Sequence, residues 1–453
     1  MTVDSPFDQI AVMWPYHPDL LARPVPRYTS FPTAAEFSGA VGGAEQAAAL
    51  GRVTGDVSLY VHIPFCEEIC WYCGCNTSRT NRAARLTSYL DALHREIAVV
   101  GARLGAESDG EVAVRRIAFG GGSPNAISPL DFVRLIDALT LALPLRDPVI
   151  SIELDPRTLA PDWGMVLRHV GVTRASLGVQ TLSPRLQAAI GRVQSREVIE
   201  AGTDLLRRAG VTSLNYDLMY GLPGQTDADL AESVEAAITL GADRIALFGY
   251  AHVPQVNPRQ QRIDASALPG QEDRFRMAWN GWEQLTGVGY RPIGFDHFAL
   301  PGDAIARAAD AGRLHRNFQG FTEDEAPVLI GLGASSISQF PDLYVQNEKN
   351  SGRYRMLLSQ DLLPGAVGVA RSPADQATGL IIEQLLCAGE ARVGQERLVQ
   401  LHGALAPFAE RGLVEVRGDW LAIRSDGLPY ARTIAALFDP YRQDSQRRFS
   451  SAV

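Results

Sequence analysis

The sequence is poor in cysteine, has no long apolar run and carries no excess of basic charge. Only 5 of its 453 residues are cysteines, which are too few and too unevenly spread for a secreted fold held together by disulfides. Apolar runs such as residues 139–145 fall far short of the roughly 18 residues that a membrane-spanning helix needs. The formal net charge of −9 argues against sequence-independent binding of nucleic acid, because such binding requires a basic surface.

The amino-terminal stretch lacks the features of a secretory signal. It carries Asp4 and Asp8, and no basic segment precedes an apolar core. The composition is ordinary, with 46% hydrophobic and 21% charged residues, and it supports a core of normal size without disulfides or structural metals. We therefore expect a cytoplasmic protein that binds neither membranes nor nucleic acid, and the length predicts two or three domains.

Short apolar runs alternate with helical patterns over the middle of the chain. Six candidate strands cover residues 57–64, 116–119, 149–154, 174–179, 213–219 and 244–250. Amphipathic helices are predicted at residues 83–100, 129–143, 196–209 and 227–240. Six βα units predict an α/β fold with one parallel sheet, and we expect a partial, TIM-like (β/α)6 barrel because a full barrel needs eight units. A doubly wound sheet is the alternative, and in both folds ligands bind at the carboxyl ends of the strands.

The pattern changes on both sides of this region, which predicts three parts. Residues 1–55 form a proline-rich amino-terminal arm, residues 56–365 the barrel, and residues 366–453 a small, mostly helical domain. Helices at 374–386 and 395–410 precede a hairpin at 413–423 and a last helix at 429–438. Helices with a hairpin are typical of a winged-helix module, but few basic residues cluster there, so we expect a packing or lid role.

Four of the five cysteines lie within ten residues, directly after the first predicted strand. Cys66, Cys70 and Cys73 follow a C-x3-C-x2-C spacing, and Cys75 comes two residues later. Thiolates are the soft ligands that zinc, copper(I) and iron–sulfur clusters prefer. Zinc ribbons use a second cysteine pair further along the chain, and this sequence has none. The spacing therefore predicts three ligands around one cluster with an open iron. Zinc or buried structural thiols are the alternatives, and Cys387 is expected in the core.

A second motif closes the second predicted strand. Residues 119–124 read Phe-Gly-Gly-Gly-Ser-Pro. Consecutive glycines allow the backbone to approach a ligand closely and leave its N–H groups unhindered. Tight turns account for most such loops, so this motif gains weight from its place after a strand in a chain that also carries the cysteine motif.

Together the two motifs resemble the radical S-adenosylmethionine (SAM) superfamily, whose signature is C-x3-C-x2-C. The resemblance implies a [4Fe–4S] cluster held by Cys66, Cys70 and Cys73, with SAM bound to the free iron. It also implies a partial barrel, in agreement with the strand count. The glycine loop is similar to the methionine-binding loop of that superfamily, with Gly122-Ser123 in place of a glycine and an acid.

Ten segments are similar to one branch of the superfamily, the oxygen-independent coproporphyrinogen III oxidase family. They occur in the family's order, at residues 26–32, 60–75, 120–124, 151–156, 178–180, 215–223, 250–254, 296–299, 313–320 and 331–338. The related heme chaperones typically lack both the fourth cysteine, Cys75, and the segment at 313–320. Three mild departures are Tyr72 where Phe is common, Gly249 where Asn is common, and residues 123–125, which read Ser-Pro-Asn for Thr-Pro-Thr.

The resemblance implies two bound SAM molecules. The first would contact Tyr60, Gly121, Glu153 and Ile337. The second would contact Tyr72, Gly122, Ser123, Gln180, Arg192, Asp217 and Ala251. These residue types suit the ligand, because an arginine can pair with the SAM carboxylate while acids and amides can bind its ammonium and ribose hydroxyls.

The resemblance also implies that the substrate is coproporphyrinogen III, two of whose propionates become vinyl groups to give protoporphyrinogen IX in heme biosynthesis. Because guanidinium groups match carboxylates, Arg27 and Arg316 are candidate substrate ligands. Phe318 and Gln319 are expected to line the same cavity, and Cys75 has a catalytic or structural role.

We expect a monomer that takes electrons from an unidentified reductant. Two other functions are compatible with the same scaffold: a heme chaperone, or another radical SAM enzyme such as a methyltransferase or a ring-forming enzyme.

Overall fold

The structure is a computed structural model, and it describes residues 13–79 and 83–442. Its strands are β1 (Gly55–Ile63), β2 (Phe65–Cys66), β3 (Ser78–Arg79), β4 (Val112–Gly121), β5 (Leu145–Leu154), β6 (Val172–Gln180), β7 (Ser213–Tyr220), β8 (Arg244–Gly249), β9 (Arg291–Ile293), β10 (His297–Ala299), β11 (His315–Asn317), β12 (Gly320–Thr322), β13 (Val328–Leu332), β14 (Ile337–Phe340), β15 (Leu343–Asn347), β16 (Gly365–Ala370), β17 (Glu390–Arg392), β18 (Val414–Arg417) and β19 (Trp420–Ile423).

The α-helices alternate with these strands through the first two thirds of the chain. They are α1 (Gly43–Gly51), α2 (Ala83–Arg103), α3 (Pro129–Ala142), α4 (Asp162–Val170), α5 (Pro184–Ala189), α6 (Arg196–Ala209), α7 (Asp227–Thr239), α8 (Gln271–Gly287), α9 (Ala304–Asp310), α10 (Ser351–Leu358), α11 (Pro373–Cys387), α12 (Gln395–Ala409) and α13 (Ala431–Ala435).

One 12-stranded sheet organises the molecule, in the order β16-β15-β14-β13-β1-β4-β5-β6-β7-β8-β10-β9. The strands from β13 to β8 are parallel, and antiparallel strands extend both edges. Side chains from β1, β4, β5, β6, β7 and β8 surround one interior cavity, as expected of a sheet curved into a partial barrel. The predicted partial barrel is confirmed: its six strands are β1 and β4–β8, and β13 is a seventh parallel strand.

Local signals explain where the barrel helices begin and end. The Ser128 side chain accepts the N–H of Asp131 at the start of α3, and Thr226 forms a capping box with Asp229 at the start of α7. Gly210 ends α6 in the left-handed conformation, with φ of 100°, which a glycine adopts at little cost. These caps depend only on residues close to the helix ends in sequence, which is why the helices begin and end near the predicted positions.

The amino-terminal arm and the carboxy-terminal region share a second hydrophobic core with α8. Its members include Trp14, Val25 and Phe31 from the arm, Phe275 and Trp279 from α8, and Ile381, Ile434 and Phe438 from the carboxy-terminal region. The last predicted helix is α13 flanked by 3-10 turns, at Ser425–Tyr430 and Ala436–Phe438.

The division into three parts stays a prediction. β16 begins at Gly365 and pairs with β15 in the large sheet, so the predicted boundary at residue 365 falls on a strand of the barrel sheet. Residues 1–12 and 443–453 of the two terminal parts lie outside the described residues. Among the helices that the structure describes, none is both long enough and apolar enough to cross a membrane.

Candidate active site

The cysteine loop begins where β1 ends. β2 pairs with β3, placing Phe65 beside Ser78 and Cys66 beside Arg79, so the two ends of the loop are held together. Cys70 is buried, Cys66 and Cys73 are half-buried, and Cys75 is exposed. The loop therefore presents its thiols at the carboxyl end of a parallel strand, where ligands bind in such folds.

The donor set of the loop suits an iron–sulfur cluster. Cys66 ends β2, and Cys70 and Cys73 lie in the loop between β2 and β3. Burial raises the pKa of the Cys66 thiol to about 12, and the charges of Cys73 and Cys70 add to this. Within the described ranges, no three metal-binding side chains are close enough to hold a single ion. Thiolates that each bind a different iron of one cubane lie further apart than the ligands of one ion, and three thiolates are the soft ligands that such a cluster takes.

Cys75 contacts one of the three predicted ligands. Its backbone N–H donates to Sγ of Cys73 at 3.4 Å. A hydrogen bond from Cys75 lowers the pKa of the Cys73 thiol to about 6, which favours the thiolate that a metal binds. Cys75 is thus placed to position Cys73 and to lower the pKa of its thiol.

Two arginines surround Cys70 and share one carboxylate. Arg192 donates to Cys70 Sγ at 3.3 Å, to both oxygens of Asp155 at 3.3 and 3.2 Å, and twice to the Gly178 carbonyl at 3.1 and 2.6 Å. Arg157 lies 2.6 Å from Asp155 and 3.5 Å from Cys70 Sγ. The five bonds of Arg192 match the five N–H groups of a guanidinium, so Arg192 is fully bonded to protein groups. Its contact with a SAM carboxylate stays a prediction.

The glycine loop is pinned against the cysteine loop. The N–H of Gly122 donates to the Ile63 carbonyl at 2.9 Å, and that of Ser123 to the Phe65 carbonyl at 2.7 Å. A Cβ atom on Gly122 would lie 2.4 Å from the Phe65 oxygen, and one on Gly121, whose φ is 110°, would lie 2.4 Å from the His62 ring. Glycine is required at residue 122 because it touches the Phe65 backbone and at residue 121 because it touches the His62 ring. The N–H groups of Gly122 and Ser123 are bonded within the protein.

The unusual Ser-Pro-Asn sequence forms its own hydrogen-bond network. The Ser123 hydroxyl donates to the Asn125 side chain at 2.6 Å, and Asn125 donates to the Asp155 carbonyl at 3.0 Å. The backbone N–H of Asp155 returns a bond to Asn125 at 3.0 Å. The Ser-Pro-Asn sequence thus joins the glycine loop to the backbone of Asp155. The carboxylate of the same residue holds both arginines beside Cys70.

Acidic side chains face the interior of the barrel. Glu153 on β5 accepts the N–H of Gly121 at 3.2 Å, and burial raises its pKa to about 7. Asp217 on β7 accepts bonds from Asn215 at 2.8 Å and Ser176 at 3.1 Å, and burial raises its pKa as well. Each carboxylate keeps lone pairs that can accept a ligand's ammonium or hydroxyl group.

The remaining predicted SAM ligands lie at the carboxyl ends of the barrel strands or beside them. The Tyr60 hydroxyl at the end of β1 lies 3.2 Å from Nδ1 of His62. Gln180 ends β6 with φ of 68°, and Ile337 begins β14, next to β13. Tyr60, Glu153 and the glycine loop lie close together, because the His62 ring contacts both Tyr60 and Gly121, and Gly121 donates to Glu153.

Two amide side chains, which the sequence motifs did not single out, join the cysteine loop to the end of β8. Gln260 donates to the carbonyls of Tyr72 at 2.9 Å and Ala251 at 3.0 Å. Asn257 donates to the Cys73 carbonyl at 2.7 Å. Tyr72 and Ala251, both predicted to contact the second SAM, are therefore neighbours across one amide group.

Arg27 and Arg316, the candidate substrate ligands, come together from distant parts of the chain. Nη2 of Arg316 donates to the Arg27 carbonyl at 3.1 Å. The Arg316 guanidinium lies 4.2 Å from the centre of the Phe321 ring. Gln319 lines the barrel cavity, whereas Phe318 packs on Tyr344 with ring centres 5.4 Å apart. The structure thus places Phe318 and Gln319 in different surroundings.

A separate charged cluster fills the barrel toward the amino ends of its strands; we call Glu323, Arg116, Arg174 and Arg244 the floor cluster. Glu323 pairs with Arg116 at 2.8 Å, with Arg174, and with Arg244 at 3.9 Å. Burial alone would raise the pKa of Glu323, but the three guanidinium groups outweigh it and lower the pKa to about 2. Arg116 also pairs with Asp324 at 3.3 Å and Arg244 with Asp303 at 2.6 Å, so three carboxylates balance the three guanidinium groups. The cluster borders a cavity of about 190 Å³.

The partial barrel and the C-x3-C-x2-C loop at its mouth define a radical SAM enzyme, whose superfamily holds a [4Fe–4S] cluster and SAM. The family model of the radical SAM superfamily matches residues 60–237. Among curated proteins, the chain is 39% identical over 441 residues to the oxygen-independent coproporphyrinogen III oxidase of Bradyrhizobium diazoefficiens, covering 95% of this chain and 97% of that protein. It is 40% identical over 441 residues to the enzyme of the same name from Cereibacter sphaeroides, covering 94% and 96% of the two chains.

A solved structure shows the same fold. The chain superposes on coproporphyrinogen III oxidase from Escherichia coli with a TM-score of 0.88 and 34% identity, covering 95% of this chain and 100% of that one. The chain therefore belongs to the oxygen-independent coproporphyrinogen III oxidase family.

Proposed function

We propose that this chain converts two propionates of coproporphyrinogen III to vinyl groups without oxygen, giving protoporphyrinogen IX. The observation that carries the proposal is the cysteine loop at the mouth of a barrel lined by Glu153 and Asp217, in a chain 39% identical to a named oxidase over 95% of its length. Cys75 and the segment at residues 313–320 are both present, which favours an oxidase over a heme chaperone.

The cluster ligands in this proposal are Cys66, Cys70 and Cys73. Held by these three thiolates, a [4Fe–4S] cluster would supply the electron for reductive cleavage of SAM, and the resulting 5′-deoxyadenosyl group would take a hydrogen atom from the substrate propionate. Each propionate then loses CO2 and passes one electron to a one-electron acceptor, leaving a vinyl group. The protein's part is to bind, to orient and to exclude water.

The chain's own residues stabilise the thiolates and position the ligands. Arg192 and Arg157 donate N–H groups to Cys70 Sγ, and such bonds tune an iron–sulfur cluster. Two SAM molecules are part of the proposal, the first against Tyr60, Gly121, Glu153 and Ile337, and the second against Tyr72, Gly122, Ser123, Gln180, Arg192, Asp217 and Ala251.

Substrate recognition completes the proposal. Arg27 and Arg316 bind substrate carboxylates, and Phe318 and Gln319 contact the substrate, Gln319 from the barrel cavity and Phe318 from its place against Tyr344. Cys75 positions Cys73 through the bond at 3.4 Å. The proposed enzyme is a cytoplasmic monomer that takes electrons from a separate reductant.

The test is turnover by the anaerobically reconstituted protein with SAM, a reductant and coproporphyrinogen III. We expect protoporphyrinogen IX and one 5′-deoxyadenosine for each propionate converted. SAM cleavage without decarboxylation would contradict the substrate assignment.

The ligand assignment has its own variant. Cys66→Ala should lose both the visible absorption of the cluster and the activity, because one iron has no thiolate. The matched control is Cys387→Ala, which removes a thiol outside the loop and should retain both. Full iron content in Cys66→Ala would show that the ligand set is wrong.

A further inference from the structure

A small basic pocket lies beside the carboxyl end of β8. It is lined by Arg27 from the amino-terminal arm, Arg274 from α8 and Arg432 from α13, together with Trp282 and Ala251. We call Arg27, Arg274 and Arg432 the arginine pocket. Its cavity of about 50 Å³ has room for a carboxylate group but not for a whole tetrapyrrole, so a larger ligand would place only one end there.

The surroundings of the pocket carry more positive than negative charge. Arg316 adjoins it across the ring of Phe295, with the guanidinium groups of Arg316 and Arg432 at 5.0 and 5.2 Å from the ring centre. The carboxylate that lines the pocket is Asp296, which already bonds to a neighbouring imidazole at 2.7 Å. Glu383 lies on the far side, where it accepts the backbone N–H of Arg316. Among the described residues named here, four guanidinium groups lie near two carboxylates.

Donors in and beside the pocket have no acceptor. Nε of Arg274, Nε1 of Trp282 and Nη1 of Arg316 are buried and form no hydrogen bond. A buried donor without a partner is destabilising, so three together point to an acceptor that the described residues do not supply. Burial and the nearby Arg27 lower the pKa of Arg432 to about 10, as expected where a guanidinium is buried beside another positive charge.

Two glycines make room for Arg274. A Cβ atom on Gly249 would lie 2.9 Å from the Tyr220 hydroxyl and 3.2 Å from Nη2 of Arg274, and one on Gly221 would lie 3.2 Å from Nε of Arg274. Gly249 is the position where the family commonly has Asn. The glycine therefore allows Tyr220 and the Arg274 guanidinium to approach the end of β8.

We propose that Arg274 and Arg432, with Arg27, bind one carboxylate group of the substrate, an inference that rests on the proposed function. The pocket shares Ala251 with the end of β8, and Gln260 joins that residue to Tyr72 in the cysteine loop. A tetrapyrrole carries carboxylates around its rim, so one held here leaves another free to reach the barrel mouth. Arginine suits this role because its planar fork matches a carboxylate.

The first test is equilibrium binding of coproporphyrin III, a stable porphyrin with the same carboxylates, to the reconstituted protein. Arg274→Gln and Arg432→Gln should each weaken binding about tenfold or more, the loss expected for a charge-assisted hydrogen bond. Arg432→Lys should recover part of the affinity because it keeps the charge. Coproporphyrin tetramethyl ester should bind weakly and should not distinguish the variants from the wild type.

The matched control is Arg276→Gln. Arg276 lies on the same helix but pairs with Asp227 and Asp273 at 2.9 Å each on the surface. This variant should bind coproporphyrin III as the wild type does, and circular dichroism should show all four variants folded. Equal weakening in the control would overturn the assignment to the pocket.

The second test is steady-state turnover, which separates this inference from the proposed function. Arg274→Gln and Arg432→Gln should raise KM for coproporphyrinogen III about tenfold or more, change kcat less, and leave KM for SAM unchanged. A rise in KM for SAM instead would assign the pocket to the SAM carboxylate and overturn the proposal.

Three results separate the two proposals. Normal turnover with KM unchanged in both variants overturns the pocket and leaves the function standing. No wild-type turnover, with coproporphyrin binding that the variants weaken, overturns the function and supports the pocket. Neither turnover nor binding in the wild type overturns both.

Discussion

The molecule contains two arginine clusters that differ in how their guanidinium groups contact the protein's own acids, because the floor cluster arginines form direct ion pairs with carboxylates. In the floor cluster, Glu323 lies among three guanidinium groups. In the arginine pocket, the lining carboxylate Asp296 is already bonded to His297. Arginines paired directly with the protein's own acids stabilise the fold, whereas the arginine pocket, where donors of Arg274 and Trp282 have no acceptor among the described residues, can bind an anion from outside.

The polar atoms without hydrogen bonds make the same distinction. In the floor cluster these are Nη2 of Arg244 and Oε2 of Glu323, which face each other at 3.9 Å. Nη2 of Arg244 also lies 2.6 Å from Asp303. In the arginine pocket the unpartnered atoms, on Arg274 and Trp282, are both donors, so they cannot satisfy each other.

The largest expected effect comes from opening the floor cluster. Glu323→Gln should lower the free energy of unfolding by about 3 kcal/mol, because it removes the carboxylate that pairs with the largely buried Arg174 and leaves Arg116 and Arg244 with Asp324 and Asp303 alone. Urea denaturation at pH 7 measures this. Glu325→Gln is the control, since Glu325 pairs with Arg313 on the surface, and it should change stability by less than about 1 kcal/mol. Equal losses in both variants would contradict the distinction between the clusters.

The pH dependence of stability should follow from the same carboxylate. The folded-state pKa of Glu323 is about 2, below the unfolded value of about 4.3. Its contribution is therefore present above pH 4.3 and is lost as the pH falls toward 2, an effect of up to about 3 kcal/mol. The difference in unfolding free energy between the wild type and Glu323→Gln should shrink across this range. A difference that stays constant down to pH 3 would argue against the low pKa.

Ligand binding should stabilise the protein through the arginine pocket and not through the floor cluster. Coproporphyrin III at a hundred times its dissociation constant should raise the free energy of unfolding by about 2.7 kcal/mol. At the same concentration, an Arg274→Gln/Arg432→Gln double variant should show little of this gain, whereas Glu323→Gln should show all of it. Thermal denaturation with and without the porphyrin measures both, and an unchanged gain in the double variant would contradict the pocket.

The smallest effect is expected without ligand. Arg274→Gln should change the free energy of unfolding by less than about 1 kcal/mol, because it removes a surplus positive charge and a donor that has no partner. Arg174→Gln, in the floor cluster, should cost more because it leaves Glu323 underpaired. A larger loss for Arg274→Gln than for Arg174→Gln, both in denaturation without ligand, would reverse the comparison.

Most of the fold could be predicted because its signals are local. The six barrel strands and the caps at Ser128, Thr226 and Gly210 depend on residues close in sequence. The seventh parallel strand, Val328–Leu332, was missed because five apolar residues show no period, and its place beside β1 follows from packing of distant segments.

The site residues also fall into two groups, those that lie in contiguous motifs and those that only the packing of distant segments brings together. The cysteines and glycines form contiguous motifs, so their positions followed from spacing alone, and Arg27 and Arg316 followed from the resemblance. Arg274 and Arg432 carry no such signal, because a single arginine on a helix is typical of a solvated face. Only the packing of α8 and α13 against the amino-terminal arm brings them together.

The arginine pocket and the shared hydrophobic core connect the same segments of the chain, the amino-terminal arm, α8 and α13. Because the arm, α8 and α13 each contribute one guanidinium to the arginine pocket, a carboxylate bound there joins three segments that the covalent chain keeps far apart. Its occupancy should slow amide hydrogen exchange in residues 14–31 and 425–438 together. A bound ligand would then hold the amino-terminal arm, α8 and α13 together noncovalently for as long as the substrate is bound.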